Sequence, residues 1–157
     1  MSKQAFQDYY PEELSHCYGC GSNNADGHQL KSYWLDEKQG ETIARFTPKA
    51  YHTAIPGFVY GGLIASLIDC HGTGSAAAAA YQAQGRVIGS APALRFVTGA
   101  LNVNFLAPTP MGVELILRGK ITEVKERKVI VEITLSADDV VCVSGSVIAV
   151  KMPATMG

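Results

Sequence analysis

Hydrophobic and polar residues alternate with a period of two through the C-terminal third of the chain. Leu101, Val103 and Phe105 alternate with Asn102 and Asn104, and Leu115, Leu117 and Ile121 with Arg118, Lys120 and Thr122. Val129, Val131, Ile133 and Leu135 do the same with Glu132, Thr134 and Ser136. That period is the signature of half-buried strands. Val140 to Val150 predicts a final strand, and the polar connections Glu126-Arg127-Lys128 and Asp138-Asp139 predict hairpins. Two earlier strands are expected from Gln29 to Leu35 and from Glu41 to Thr47, around a turn at Asp36–Gly40. Between the two groups lies one long helix candidate, about Gly62 to Gln82. Its second half, Ser75 to Ala80, is nearly all alanine and uncharged, so it should be buried on most sides. Residues 1–28 are rich in turn formers (Pro11, Gly19, Gly21, Asn23, Asn24, Gly27) and predict an irregular arm. One buried helix and an antiparallel meander imply an α+β layout, a sheet wrapped around a helix, in a single domain over 1–157. A curved sheet has two open edges, and pairing copies of the chain would cover one.

Composition narrows the function. The 157 residues hold 13 Lys and Arg against 14 Asp and Glu, a net charge of −1. That balance excludes a protein built to bind nucleic acid backbone, which needs a concentrated basic surface. Charged residues are 17% of the chain, against about 25% in an average domain, which points to surface covered by a partner subunit. No continuous apolar run approaches the roughly 20 residues of a membrane span. The N-terminus lacks the basic start and apolar centre of a signal peptide. Cys17, Cys20, Cys70 and Cys142 are too few and scattered for a disulfide framework, so a reducing, cytoplasmic compartment is expected.

The densest chemical signal runs from Pro56 to Asp69, Pro-Gly-Phe-Val-Tyr-Gly-Gly-Leu-Ile-Ala-Ser-Leu-Ile-Asp. Glycines at a helix start leave backbone N–H groups accessible, and those groups with the helix dipole favour a negative oxygen. That is what an oxyanion hole requires. Asp69 stands on the same helix among apolar neighbours, where a carboxylate is costly without a partner or a role. The alternative reading of Asp69 is a hydrogen bond to a neighbouring strand.

Tyr60 to Asp69, taken with Cys17-Tyr18-Gly19-Cys20-Gly21, resembles the hotdog-fold acyl-CoA thioesterases of the phenylacetate-pathway type. In that family the helix opens with His-Gly-Gly and carries an Asp nine residues after the His. Thr98-Gly99-Ala100-Leu101-Asn102-Val103-Asn104-Phe105, with Pro108 and Pro110, resembles the family's Thr-x-x-Leu-Asn-(Val/Ile)-Asn-aromatic strand, and His52 with Pro56-Gly57 fits the run into the helix. The resemblance covers about residues 17–151 and departs at one position: Tyr60 stands where the family has His. An imidazole exchanges protons near pH 7, whereas a phenol, with a reference pKa of roughly 10, mostly donates a hydrogen bond.

The resemblance implies a hotdog fold and hydrolysis of an acyl-CoA to free acid and coenzyme A, with coenzyme A part of the substrate and no separate cofactor. Catalytic candidates are Gly61 and Gly62 as N–H donors, Asp69 as general base or nucleophile, Thr98 to orient water, and Tyr60. His52 and Asn104 are binding candidates. Arg95 and the Lys125, Arg127, Lys128 turn are candidates for the phosphates of coenzyme A, although such a turn is ordinarily a solvated hairpin tip. Eight helical residues put Asp69 about 12 Å along the axis from Gly61. That reach predicts a composite site across a two-fold axis, in a homodimer or a dimer of dimers. Two rivals share the fold: an enoyl-thioester hydratase or dehydratase using His52 and Asp69, and a non-catalytic acyl-thioester binding protein.

Three further signals have plainer readings. Cys17-x-x-Cys20, with His16 and His28 nearby, is half of a zinc pattern without a second pair, because Cys70 and Cys142 fall on a helix and a strand; a structural turn and no metal are expected. Cys70 and His71, adjacent on a helix, diverge and should pack or line a pocket. Tyr33, Trp34, Tyr81, Phe96 and Met111 belong to the core, with one or two available to an acyl pocket. No Gly-x-Ser-x-Gly elbow supports a serine hydrolase.

Overall fold

The computed structural model describes residues 4–156. Its strands are β1 (Ser32–Asp36), β2 (Glu41–Phe46), β3 (Phe96–Phe105), β4 (Leu115–Val124), β5 (Lys128–Ala137) and β6 (Val140–Lys151), and its long helix is α1 (Gly61–Ala83). The strands form one antiparallel sheet in the order β1-β2-β4-β5-β6-β3. This is the hotdog arrangement, an α+β fold with α1 in the hollow of the sheet.

Each departure from the expected boundaries has a local cause. β1 starts later than expected because Gln29 takes a left-handed φ of 54° and Leu30 is already buried against the core. β3 starts five residues before the visible alternation because its register shifts between Thr98 and Ala100. The extra residue, Gly99, breaks the period of two while leaving both Thr98 and Leu101 on the helix side. Asp138 and Asp139 both take positive φ, which suits the tight β5–β6 hairpin. α1 ends in a Schellman motif: Gly85, at φ 65°, donates to Gln82 O, and Arg86 N–H reaches back to Tyr81 O.

The sheet presents Leu115, Leu117, Val129, Val131, Ile133, Leu135, Val143, Val147 and Ala149 to α1, all essentially inaccessible to solvent. Small helix residues let the two layers close: a Cβ on Gly72 would lie 2.4 Å from Val147 Cγ2. The opposite side of the helix is covered by the chain's own N-terminal arm, whose Phe6, Gln7, Ser15, Cys20 and Leu30 are buried. Gly74 has the Gln7 amide against it at what would be 2.5 Å from a Cβ. Much of the cover that the low charge attributed to a partner subunit therefore comes from within the chain.

A buried polar chain ties these layers together. The Gln7 side chain donates to Ser32 Oγ at 3.1 Å and accepts from Ser32 N–H at 2.8 Å. Ser32 Oγ meets His71 Nδ1 at 2.9 Å, His71 Nε2 meets Thr42 Oγ1 at 3.0 Å, and Thr42 Oγ1 meets Ser75 Oγ at 2.8 Å. His71 is thus a core residue linking α1 to β1 and β2, not a pocket residue. Burial pushes its pKa down to about 3.

The sign of the consequence follows. An unfolded imidazole binds its proton near pH 6.5, but native His71 does not, so stability present above 6.5 is lost as the pH falls toward 3. At about 1.4 kcal/mol per pH unit, roughly 2–3 kcal/mol is lost by about pH 4.5. Urea unfolding at stepped pH should show this decline, and His71→Gln, which keeps hydrogen-bonding capacity without titrating there, should flatten it.

Candidate active site

The start of α1 is built as a donor site. Tyr60 is the N-cap residue in an extended conformation, and no side chain caps the helix. Its own N–H donates to His52 O at 2.9 Å, and its carbonyl accepts from Ile64 N–H at 3.2 Å. The N–H groups of Gly61 and Gly62 precede the first intrahelical bond and remain available. Gly62 has to be glycine for the Tyr60 ring to lie over it: a Cβ there would sit 2.4 Å from Tyr60 Cε2. Phe105, at the end of β3, packs against Gly61 from the other side, with Cζ 3.3 Å from where a Cβ would be.

Two hollows flank this helix start. One, of about 290 Å³, lies between Tyr18, His28, Tyr51, His52, Tyr60 and Leu63. The other is an open groove of about 460 Å³ along Phe58, Gly61, Ile64, Phe105 and Leu106. A hollow of about 420 Å³ lies on the outer face of the sheet and one of about 760 Å³ beside the C-terminal end of α1, and neither reaches Asp69 or the helix start.

In the aromatic hollow, His28 stacks near Tyr18 with ring centroids 4.8 Å apart and near His52 at 5.4 Å. Lys49 N–H donates to His52 Nδ1 at 2.9 Å, which places the ring proton of neutral His52 on Nε2. Desolvation lowers the pKa of both histidines, with His52 acting further on His28 and Lys49 on His52. Sequence reasoning missed Tyr18 and His28 as lining residues. The arm that carries them has no periodicity, and only its pairing (His28 N–H to Tyr18 O, Leu30 N–H to Gly19 O) folds it onto the helix start.

Asp69 lies two turns further along α1 and is half-buried. The Thr98 hydroxyl on β3 donates a short hydrogen bond to Asp69 Oδ1. Among the described residues no ion pair neutralises Asp69. One carboxylate oxygen is thus fixed by a neutral donor, and among the described residues the other accepts no side-chain hydrogen bond. A bond to a neighbouring strand was the structural alternative for Asp69, and it holds the carboxylate at the rim of the core rather than burying it there.

The arrangement has counterparts. Residues 56–144 match the family model described as thioesterase superfamily. The chain belongs to the thioesterase superfamily. A thioesterase superfamily protein from Shewanella loihica is 57% identical, with 92% of this chain and 100% of that one covered and a TM-score of 0.67. The PaaI protein of the E. coli phenylacetic acid degradation operon shares the fold at 14% identity, covering 80% and 81% of the two chains, with a TM-score of 0.64. So does a hypothetical thioesterase from Streptococcus pneumoniae solved with coenzyme A, at 11% identity, 78% and 86% coverage and a TM-score of 0.60. No match was found among curated protein sequences.

Within this superfamily fold the remaining candidates separate. Asn104 donates to Asn102 Oδ1 at 3.0 Å, and both line the outer-face hollow with Ser144 and Ser146. Asn104, a binding candidate, therefore sits on the outer face of the sheet, where the alternation turns it away from the helix start. Arg95 stacks over Tyr10, 4.4 Å from the ring centroid, and donates to Phe96 O at 2.8 Å, so its guanidinium is engaged within the fold. Lys128 and Lys125 lie 3.4 and 3.9 Å from Glu123, while Arg127 is exposed at the β4–β5 tip. That tip borders the Thr98 end of the sheet, since Thr98 and Val129 both pair with Ala149.

The fold also overrides the argument from cysteine spacing. Although Cys70 is on α1, the arm brings Cys17 and Cys20 to it, and the three sulfurs lie within 4.8 Å of one another. Cys142 is buried elsewhere, on β6.

The lowered pKa values predict that His28 and His52 are neutral at pH 7. Ring ¹⁵N NMR should find both titrating below 6.5, with His52 as the Nε2–H tautomer.

Proposed function

We propose that the protein hydrolyses the thioester of an acyl-CoA, and that its site is shared between two chains. The observation that carries this reading is the Asp69 carboxylate, oriented by Thr98 and unneutralised, on the same helix as an uncapped Gly61-Gly62 start. The coenzyme A bound to the S. pneumoniae thioesterase supports coenzyme A as the leaving group.

The two halves of the chemistry are apart within one chain. Gly61 meets Phe105 at one end of β3, and Asp69 meets Thr98 at the other. β3 is an edge strand ten residues long, with Leu101, Phe105 and the following Leu106 exposed. Such an edge is a ready template for pairing. Antiparallel pairing of two copies centred on Leu101 and Asn102 sets Thr98 of one opposite Phe105 of the other. One subunit's Asp69 then faces the other's Gly61, giving two equivalent sites per dimer.

Water held between Thr98 Oγ1 and the free Asp69 oxygen attacks the thioester carbon and gives its proton to Asp69. The Gly61 and Gly62 N–H groups stabilise the oxyanion. Its collapse breaks the C–S bond, and Asp69 returns the proton to the departing thiolate. The neutral aromatic hollow at the helix start takes the acyl group, and the basic tip at Arg127 is placed for the phosphates of coenzyme A.

A thiol-release assay over short, long and aromatic acyl-CoAs tests the activity. Asp69→Asn should lower kcat by about a hundredfold or more while leaving the oligomer intact. Hydration of enoyl-CoA without thiol release would select the hydratase, and tight binding without turnover the binding protein.

The shared site has its own test. Gly61→Pro removes one N–H at the first helical position, where proline fits, and Tyr60 before it is already extended. Gly61→Pro and Asp69→Asn should each be nearly inactive. Refolding them together should restore about one quarter of parental activity, because half the dimers are mixed and each has one intact site. No restoration would place the site within a single chain.

A further inference from the structure

We propose that Cys17, Cys20 and Cys70 form a binding site for a thiophilic divalent cation, Zn²⁺, that fastens the N-terminal arm to α1. Two observations carry it independently of the proposed catalysis. The first is metric. The sulfurs of Cys17 and Cys70 lie 3.7 Å apart, and all three lie within 4.8 Å of one another. Four Zn–S bonds of about 2.3 Å in a tetrahedron set sulfurs about 3.8 Å apart. The separation fits neighbouring ligands of one ion and is far beyond the roughly 2.05 Å of a disulfide.

The second is the local backbone. Cys17-Tyr18-Gly19-Cys20-Gly21 closes a tight loop in which Gly21 N–H donates to Cys17 O at 2.7 Å. A Cβ on Gly19 would sit 2.3 Å from Cys70 Sγ, and one on Gly21 would meet Cys17 N at 2.4 Å. Both glycines are therefore required for the cysteines to converge. The convergence brings three soft sulfur donors to one point, the ligand type that Zn²⁺ takes as thiolates.

Three protein ligands leave one position to water or a small anion, on the side of Cys17, the one partly exposed thiol of the three. Cys70 directly follows Asp69, and Tyr18 inside the loop lines the aromatic hollow. The ion would therefore set the position of one wall of that hollow against the helix.

Full-length chain, reduced and stripped of metal under anaerobic conditions, is titrated with Co²⁺ and then Zn²⁺. One equivalent of Co²⁺ should produce a near-ultraviolet thiolate-to-metal charge-transfer band with visible bands of a four-coordinate ion, and stoichiometric Zn²⁺ should abolish both. Cys17→Ser should weaken Co²⁺ binding by more than the roughly hundredfold that loss of an outer contact can cost, and Cys142→Ser should bind as the parent does. Alkylation footprinting of the parent covers the case in which Cys17→Ser fails to fold: Zn²⁺ should protect Cys17, Cys20 and Cys70 but not change Cys142. No charge-transfer band, undiminished binding by Cys17→Ser, or no protection of the three thiols would overturn the proposal.

Discussion

Everything in this molecule is arranged around a helix that has almost no solvent-facing side. α1 carries one formal charge, Asp69, and from Cys70 to Tyr81 every residue is buried. A helix of this kind gains stability from cover rather than from its own surface. The sheet covers one side and the arm the other, and glycines at 72 and 74 let both approach closely. Each polar group on α1 must then be answered by a specific partner, because unsatisfied burial is costly. His71 and Ser75 find Ser32 and Thr42, the Cys70 thiol finds those of the arm, and Asp69 finds Thr98. The candidate site groups sit where the cover is thinnest, at the helix start and at the Asp69 rim.

The same constraint explains what could be read from the chain and what could not. The alternating runs in β4, β5 and β6 are legible because one face is buried and the other polar, and the alanine run of α1 is legible because nothing else tolerates such close cover. The Tyr60-Gly61-Gly62 start stands out because paired glycines at a helix start leave N–H groups uncovered, and Asp69 because it is a lone carboxylate among apolar neighbours. β3 was only half visible, because the bulge at Gly99 interrupts the period that reveals a strand. A place in a motif says nothing about a residue's face, and alternation puts Asn104 on the outer side of the sheet. The arm was least legible: Phe6, Gln7, Cys20 and Leu30 are buried without any regular spacing, so only tertiary contact defines them. For the same reason Cys70 could not be joined to Cys17 and Cys20 by counting residues.

The position of Tyr60 illustrates how site chemistry can move without a change of fold. Where the resembling family has His at the helix N-cap, this chain places a phenol whose ring covers Gly62. Imidazoles are nevertheless beside the helix start: His52 accepts the Tyr60 N–H through its carbonyl, and His28 arrives from the arm and meets the His52 ring edge-on. Desolvation keeps both below their ordinary pKa, so they contribute polar edges rather than charge. In the proposed reaction this matters for the oxyanion, because a neutral apolar wall strengthens the pull of the Gly61 and Gly62 dipoles more than a hydrated cation would. It also separates two tasks. The helix start only polarises the carbonyl, and proton transfer is left to Asp69 at the other end of β3. That division asks of residue 60 only that it cap the helix start and cover Gly62, which the Tyr60 ring does.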